Sequence, residues 1–192
     1  FSDSSWLSPN RIGMQESYIM PGEIANFNFT ITAPNNISGT YNEYFGLVVE
    51  GLGWLPDIGI YWKIGAQTPS YNASYVNQSP YITINGGEEA LLWVEYKNTG
   101  STTWNFSNVK LGTNNPMDRA SQFYNYNPGS GWTGNNRITM SKETVAPGET
   151  VRFTFLIYAQ KNPGVYYEYF RPVVDGVKWM EDYGLFWQIT VR

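Results

Sequence analysis

Four acidic residues at repeated positions are the side chains best suited to chemistry. Glu43 and Asp57 in the first copy of a repeat have counterparts at Glu168 and Asp182 in the second. Two carboxylates about 5–10 Å apart are sufficient for glycoside hydrolysis. Glu168, however, lies within a predicted strand, and Asp182 precedes Gly184 in a predicted turn. We therefore interpret these acids as a solvent-facing strand position and a turn acceptor, and we predict no catalytic residue.

The composition removes most other chemistry. The 192 residues include no Cys and no His. Their absence excludes disulfides, thiolate nucleophiles and cysteine-ligated zinc, and it removes the commonest general base. We expect no metal and no cofactor. The net charge of −4 argues against nucleic acid as a partner, and no apolar run approaches the roughly 20 residues that span a bilayer.

The loop 112–131 holds the residues that we predict to bind a ligand. It is long and rich in Asn, Gly and Pro. Tyr124, Asn125 and Tyr126 offer two aromatic rings and an amide, which suit contacts to a carbohydrate or a protein. The alternative is a surface loop that packs on itself. We interpret the dipeptide Asp118–Arg119 as a source of charged hydrogen bonds that hold the loop in place.

Five tryptophans of the second half offer another aromatic surface, because aromatic faces suit pyranose rings. Three of them, Trp132, Trp179 and Trp187, recur in the first half of the chain. Recurrence within a drifting repeat favours core or corner packing instead. We extend this interpretation to the recurring strand aromatics, which are Tyr41, Tyr44, Phe45, Tyr166, Tyr169 and Phe170.

Five Asn-X-Ser/Thr triplets are candidate glycosylation sites. Their acceptor residues are Asn28, Asn36, Asn72, Asn77 and Asn105. Asn28 alternates with Phe27 and Phe29, so we expect it to face outward from a strand. Chance is the alternative explanation, because a chain rich in Asn, Ser and Thr yields several such triplets.

The elements that must position these residues occur twice. The segment from Pro147 to Ile189 repeats the segment from Pro21 to Ile64 nearly letter for letter, beginning with the same Pro-Gly-Glu turn. The offset is 126 positions before Asn36 and 125 positions after it, so one residue is lost in a loop. A repeat of this length is a domain-sized unit.

The periodicity predicts an all-β chain. Apolar and polar residues alternate at 27–31 and 151–158, which is typical of strands with one buried face, and no stretch shows sustained helical spacing. We predict a first part at 1–65, a linker at 66–80 and a complete domain at 81–192. About seven short strands in the complete domain fit an immunoglobulin-like sandwich.

The first copy lacks a counterpart of residues 81–122, so we interpret it as the C-terminal half of such a sandwich. Half a sandwich leaves one hydrophobic face uncovered and its edges unpaired. Either the polypeptide extends upstream of Phe1, or another chain supplies the missing strands by strand addition. We favour a segment of a longer repeat array, and we expect residues 1–65 alone not to form a stable monomer.

Several short motifs resemble a known family. They are Leu92–Asn98 followed by Thr99-Gly100 and Trp104, then Leu111-Gly112-Thr113, Trp132, Asn136-Arg137 and Pro147-Gly148-Glu149. Together they resemble the four-tryptophan (next to BRCA1) immunoglobulin-like domain, which bacterial surface and cell-wall proteins carry in tandem. The resemblance implies a β-sandwich with a binding or spacer role and brings no catalytic residues. The long loop 112–131 departs from the receptor version of the domain.

These observations lead to one functional expectation and one alternative. We expect a non-catalytic, extracellular repeat of a microbial surface protein, serving as an adhesin, a stalk or a filament subunit. Its partners would be other copies of itself or neighbouring repeats, with surface glycans as further candidates. The alternative is a carbohydrate-binding module of a secreted cell-wall hydrolase.

Overall fold

The protein is all-β in the residues that its structure, a computed structural model, describes: 1–34, 36–160 and 162–192. The strands divide between two compact units, Phe1–Thr68 and Pro69–Arg192. No helix occurs in the described ranges, which confirms the predicted all-β class.

The first unit has few strands. Within its described residues they are β1 (Gly39–Phe45), β2 (Val48–Val49), β3 (Gly53–Trp54) and β4 (Ile60–Ala66). An antiparallel ladder joins β1 to β4, from Gly39 opposite Ala66 to Phe45 opposite Ile60. A short hairpin joins β2 to β3. This unit therefore contains one extended ladder.

The segment 27–31, predicted as a strand, forms none. In the second unit the corresponding segment lies within a nine-residue strand, Thr150–Tyr158, which pairs along its whole length with a neighbouring strand. Among its described residues, the first unit has no such neighbouring strand for its segment. The prediction was wrong because alternation determines which side chains share a face, whereas a strand also needs a partner for its backbone groups.

The second unit contains most of the regular structure. Its strands are β5 (Ala73–Gln78), β6 (Ile82–Ile84), β7 (Glu89–Asn98), β8 (Trp104–Asn105), β9 (Val109–Asn114), β10 (Trp132–Gly134), β11 (Arg137–Thr139), β12 (Thr144–Val145), β13 (Thr150–Tyr158), β14 (Gly164–Val174), β15 (Lys178–Trp179) and β16 (Phe186–Val191).

These strands build a sandwich-like arrangement of sheets. The larger sheet has the order β10-β11-β9-β14-β16-β6, with β15 paired to β14. A second sheet has the order β13-β7-β5, and β12 pairs with β8. The pairing of β16 with β6 is parallel, whereas β7 is antiparallel to both of its neighbours.

The core of the second unit is formed by the inner faces of these sheets. Alternate residues of β7 are buried, and the residues between them are at least partly exposed. The fully buried large side chains include Leu92, Tyr96, Trp104, Leu111, Phe123, Ile138, Phe153, Phe155, Ile157, Phe170, Met180 and Trp187. Burial of so many aromatic and aliphatic groups is the main source of stability.

The predicted linker 66–80 contains a strand of the second unit. Within it, Ala73–Gln78 is β5, which pairs with β7. The indole N–H of Trp187 donates to the carbonyl oxygen of Ser79 at 3.1 Å and to its hydroxyl at 3.0 Å. The second unit accordingly begins at Pro69. The sequence did not predict this strand because its surroundings are rich in small polar residues and proline, which are typical of a linker.

The repeated Pro-Gly-Glu turn has the same structure in both units. Gly22 and Gly148 have φ angles of 91° and 86°, in the left-handed region that favours glycine. The carboxylate of each following glutamate accepts a backbone N–H from three residues earlier, at 2.7 Å for Glu23 and 2.8 Å for Glu149. The motif recurs because each of its residues has a local structural role.

Candidate functional site

Glu168 forms a buried ion pair with Arg119. Two hydrogen bonds join the guanidinium to the carboxylate, at 2.6 and 3.3 Å, and the backbone N–H of Gln122 donates to the same carboxylate at 3.2 Å. Glu168 is only 2% exposed, so the predicted solvent-facing position is wrong. The pair joins the loop 112–131 to β14. The neighbouring residue Asp118 does not take part in this pair; its carboxylate forms an ion pair with Arg137 at 2.5 Å.

The two recurring aspartates are turn acceptors, as predicted. The Asp57 carboxylate accepts the backbone N–H of Gly59 at 2.8 Å, and the Asp182 carboxylate accepts that of Gly184 at 2.8 Å. Both are therefore occupied in the same local role. Glu43, the counterpart of Glu168, is half-buried and has no ion pair among the described residues.

The structure places Asn125, a predicted ligand-binding residue, in the interior. It is 1% exposed, and its amide donates to the Glu89 carboxylate at 2.8 Å. The hydroxyl of Ser130 donates to the Asn125 carbonyl oxygen, also at 2.8 Å. Gly131 (φ 87°) ends the loop so close to β13 that an added Cβ would lie 2.3 Å from the Thr154 carbonyl oxygen. Buried hydrogen bonds of Asn125 and close packing at Gly131 therefore hold the loop 112–131 in place.

The two predicted tyrosines have different surroundings. Tyr124 is half-buried and packs edge-to-face against Trp132, with ring centroids 5.5 Å apart. Tyr126 is 78% exposed. Of the three predicted ligand-binding residues, Tyr126 has the surface position that a ligand contact requires.

The glycosylation candidates are mostly at the surface. The acceptors Asn28, Asn36, Asn77 and Asn105 are exposed, and Asn72 is half-buried. Asn105 lies in β8, and Asn77 lies in β5. Four of the five acceptors therefore have the exposure that a bulky glycan needs.

Both units contain the same cluster of four aromatic rings. The members are Trp6, Phe29, Phe45 and Trp62 in the first unit, and Trp132, Phe155, Phe170 and Trp187 in the second. Trp6 and Phe29 lie 5.6 Å apart at 87°, and their counterparts lie 5.7 Å apart at 86°. Each first tryptophan also donates its indole N–H, at 2.8 Å, to a carbonyl oxygen near the second ring.

The shared cluster is covered in one unit and open in the other. Trp187 is 0% exposed, whereas Trp62 is 49% exposed. In the first unit a cavity of about 300 Å³ opens beside the rings. It is lined by Phe27, Asn28, Phe29, Ile31, Phe45, Trp62 and Ile64. We call this surface the open face of the first unit. In the second unit, the corresponding rings of Phe155, Phe170 and Trp187 belong to one buried core cluster that also contains Leu92, Val94 and Tyr96 of β7.

A backbone edge runs along the open face. Two backbone–backbone hydrogen bonds join segment 26–32 to residues near the start of the chain: Gln15 N–H donates to Asn26 O, and Thr32 N–H donates to Phe1 O. Within the described residues, the backbone groups of Phe27 and Phe29 on the opposite edge have no hydrogen-bond partner. An apolar cavity beside an unpaired edge is the geometry that accepts an added strand.

A strip of aromatic rings, which the spacing along the chain did not predict, lies on the outer face of the larger sheet. It consists of Tyr81, Tyr167, Tyr169 and Phe186, which we call the aromatic strip. The Phe186 ring centroid lies 5.3 Å from that of Tyr81 at 31°, and 5.4 Å from that of Tyr169 at 35°. Tyr81 and Tyr167 are each 52% exposed.

A related pair of rings stands on the first unit. Tyr44 and Tyr61, the counterparts of Tyr169 and Phe186, have centroids 5.4 Å apart at 33°. Tyr44 is 69% exposed, so its predicted packing in a core is wrong. The position of Glu168 explains why the exposed tyrosines were not predicted. A charged residue on a strand is expected to face solvent, which would turn the neighbouring tyrosines towards the core. Glu168 faces inward instead, so Tyr167 and Tyr169 face outward.

No family model matches this chain, and no similar chain was found among curated proteins. Across the described ranges, no group of three or more acidic side chains is arranged to hold a metal ion. No helix of those ranges is long and apolar enough to cross a membrane.

Proposed function

We propose that this chain is a non-catalytic, extracellular, immunoglobulin-like repeat of a microbial surface protein, serving as an adhesin, a stalk or a filament subunit. The open face of the first unit is the observation that carries the proposal. Its four rings match a cluster that the second unit buries, so the first unit acts as the C-terminal half of a sandwich. A neighbouring repeat would supply the other half by strand addition.

The surface chemistry supports an extracellular setting. Four exposed asparagines stand in glycosylation triplets. Charged residues are only 15% of the chain, while aromatic residues are 17%. Such a composition suits association with other repeats or with glycans rather than with nucleic acid.

Labelling of intact producing cells tests this function. A reagent that does not cross membranes, applied to cells and followed by recovery with an antibody against this chain, should label its surface lysines. Lysed cells treated in the same way give the total amount. Protein that is labelled only after lysis would contradict an extracellular repeat.

Carbohydrate binding, as in a module of a secreted cell-wall hydrolase, is a second candidate. The aromatic strip favours it, because its rings stand on the outer face of the larger sheet, with Tyr81 and Tyr167 each 52% exposed, and aromatic faces suit the apolar faces of sugars. The side chains of Thr83, Gln188 and Thr190 lie on the same face of the larger sheet and offer hydrogen-bonding groups.

Sedimentation with insoluble peptidoglycan or polysaccharide tests this candidate. Replacing Tyr81 and Tyr167 by Ala should leave the protein in the supernatant, whereas Tyr126→Ala tests the loop in the same assay. If both variants sediment as the parent protein does, carbohydrate binding at the aromatic strip and at Tyr126 is excluded. Thermal unfolding of each variant provides the control for folding.

A further inference from the structure

The second unit supplies a template for what covers the open face. Segment 26–32 is the counterpart of β13, and both are fastened along one edge in the same way. Thr32 N–H donates to the carbonyl oxygen of Phe1 at 2.9 Å, and Tyr158 N–H donates to that of Phe123 at 3.1 Å. The other edge of β13 pairs with β7 over its whole length. The same edge of segment 26–32 is unpaired in the part of the chain that the structure describes.

We infer that the open face binds a strand of the β7 type, supplied by a neighbouring repeat and antiparallel to residues 25–31. This inference rests on the proposed function and names the partner of that site. β7 of this chain is not available as the donor, because it lies between β13 and β5 in its own sheet.

The pattern of the donated strand follows from β7. Three alternate residues of β7 have no exposed surface: Leu92, Val94 and Tyr96. In the second unit Leu92 stands opposite Phe155, and Val94 stands opposite Phe153. The donor therefore needs medium-sized apolar residues at every second position, since these fill the cavity of about 300 Å³ beside the rings.

The register transfers to the first unit through the offset between the copies. Phe155 corresponds to Phe29, so a leucine of the donor should stand opposite Phe29. A valine two positions later should stand opposite Phe27. This alignment pairs the donor backbone with the free N–H and C=O groups of both phenylalanines.

The outward positions of the donor are less restricted than those of β7. In the second unit Arg152 donates to the Glu95 carboxylate at 2.9 Å, and its guanidinium lies 4.0 Å from the centre of the Trp93 ring. The corresponding residue of the first unit is Asn26, which carries no charge. The donor therefore does not need a glutamate or a tryptophan at these positions.

A peptide with the sequence of residues 88–98, carrying lysines at both ends for solubility, is a direct probe. A fluorescently labelled form should bind the full chain. Leu92→Asp in the peptide should weaken binding by about tenfold or more, because a charge would enter the apolar cavity. Leu91→Asp, on the outward side of the same peptide, is the matched control and should bind as the parent does.

Disulfide trapping tests the register. The chain has no Cys, so Asn28→Cys introduces a single thiol on the outward side of the open face. In the second unit the corresponding pair is Thr154 opposite Trp93, between hydrogen-bonded pairs, with Cα atoms about 4.5 Å apart. This separation permits a disulfide. The peptide with Trp93→Cys should therefore cross-link, and the peptide with Leu91→Cys should react much less.

Three results would overturn the inference. They are absence of peptide binding, equal cross-linking of both cysteine peptides, and dimers of the chain that form without the peptide and resist it. The last result would assign the open face to a second copy. If the chain is labelled on intact cells but does not bind the peptide, the inference about the donated strand fails while the proposed function stands. The failure of the inference and the failure of the proposed function are therefore distinguishable.

Discussion

The two units contain the same aromatic cluster in opposite environments. Ring separations and angles agree closely, yet Trp187 is fully buried and Trp62 is half exposed. An arginine also stacks on a tryptophan in each unit, Arg11 at 5.3 Å and Arg137 at 5.2 Å. Contacts within the repeated segment are therefore sufficient to arrange the rings, whereas burial depends on strands of the second unit that have no counterpart among the described residues of the first.

Truncation of the second tryptophan of each cluster should give the largest difference between the units. Trp187→Ala should cost about 3–5 kcal/mol of unfolding free energy, because it leaves a cavity in a closed core. Trp62→Ala should cost a small fraction of this, because half of the ring already contacts solvent. Urea unfolding of the full-length variants measures both. Equal losses would mean that the open face is covered in solution.

Removal of the buried carboxylate should come next in size. Glu168→Gln leaves the Arg119 guanidinium without its counter-charge and should cost about 3 kcal/mol. Glu43→Gln changes the corresponding residue of the first unit, which has no ion pair with the described residues, and should be nearly neutral. The same urea titrations compare the two. A neutral Glu168→Gln would show that the loop 112–131 does not depend on this pair.

Removal of the Tyr96 hydroxyl should give a smaller effect of the opposite sign. This oxygen is buried in the second unit and has no hydrogen-bond partner among the described residues, and burial raises the pKa of the phenol well above its usual value. Tyr96→Phe should therefore raise the free energy of unfolding by about 1 kcal/mol. Calorimetry should detect a higher midpoint, and a lower one would indicate a hidden partner such as a bound water.

The smallest expected effect is a pH dependence confined to the first unit. Hydrogen bonds from Thr30 and Ser5 lower the pKa of Asp3 from 3.8 to about 2. Because the pKa of Asp3 is lowered in the folded state, its ionised carboxylate stabilises that state at any pH above the ordinary pKa. This contribution to stability is lost as the pH falls from about 4 to about 2.

Hydrogen exchange measures this effect. After correction for the intrinsic exchange rate, the backbone N–H of Thr30 should be less protected at the lower end of this range, while the protection of Leu156 in the second unit should be unaffected by the titration of Asp3. In Asp3→Asn the pH dependence at Thr30 should disappear. If it persists there, another group anchors the segment.

Several local features were predictable because they depend on neighbours in the chain. The all-β class, the turn roles of Asp57 and Asp182, and the repeated turn at Gly22 follow from residue type and spacing. Features that depend on distant residues were missed. The burial of Glu168 requires Arg119, which lies 49 positions away, and the strand at 73–78 is recognisable only beside β7.

The candidate sites divide in the same way. Tyr126 has the predicted surface position, but Asn125 is an internal anchor whose partner, Glu89, is 36 positions away. The aromatic strip combines Tyr81 with residues more than eighty positions later, and a parallel pairing of β6 with β16 brings them together. Spacing along the chain does not reveal such a pairing.

The sequence by itself determined the repeat, the strand-forming alternation and the identity of the rings that cluster in each copy. Only the tertiary structure decided which copy is covered and which carboxylate is buried. The physical reason is that side-chain alternation is a local property, while burial and backbone pairing require a second strand. The open face of the first unit shows the difference between these properties, because the described residues there have the alternation of a strand but no partner strand.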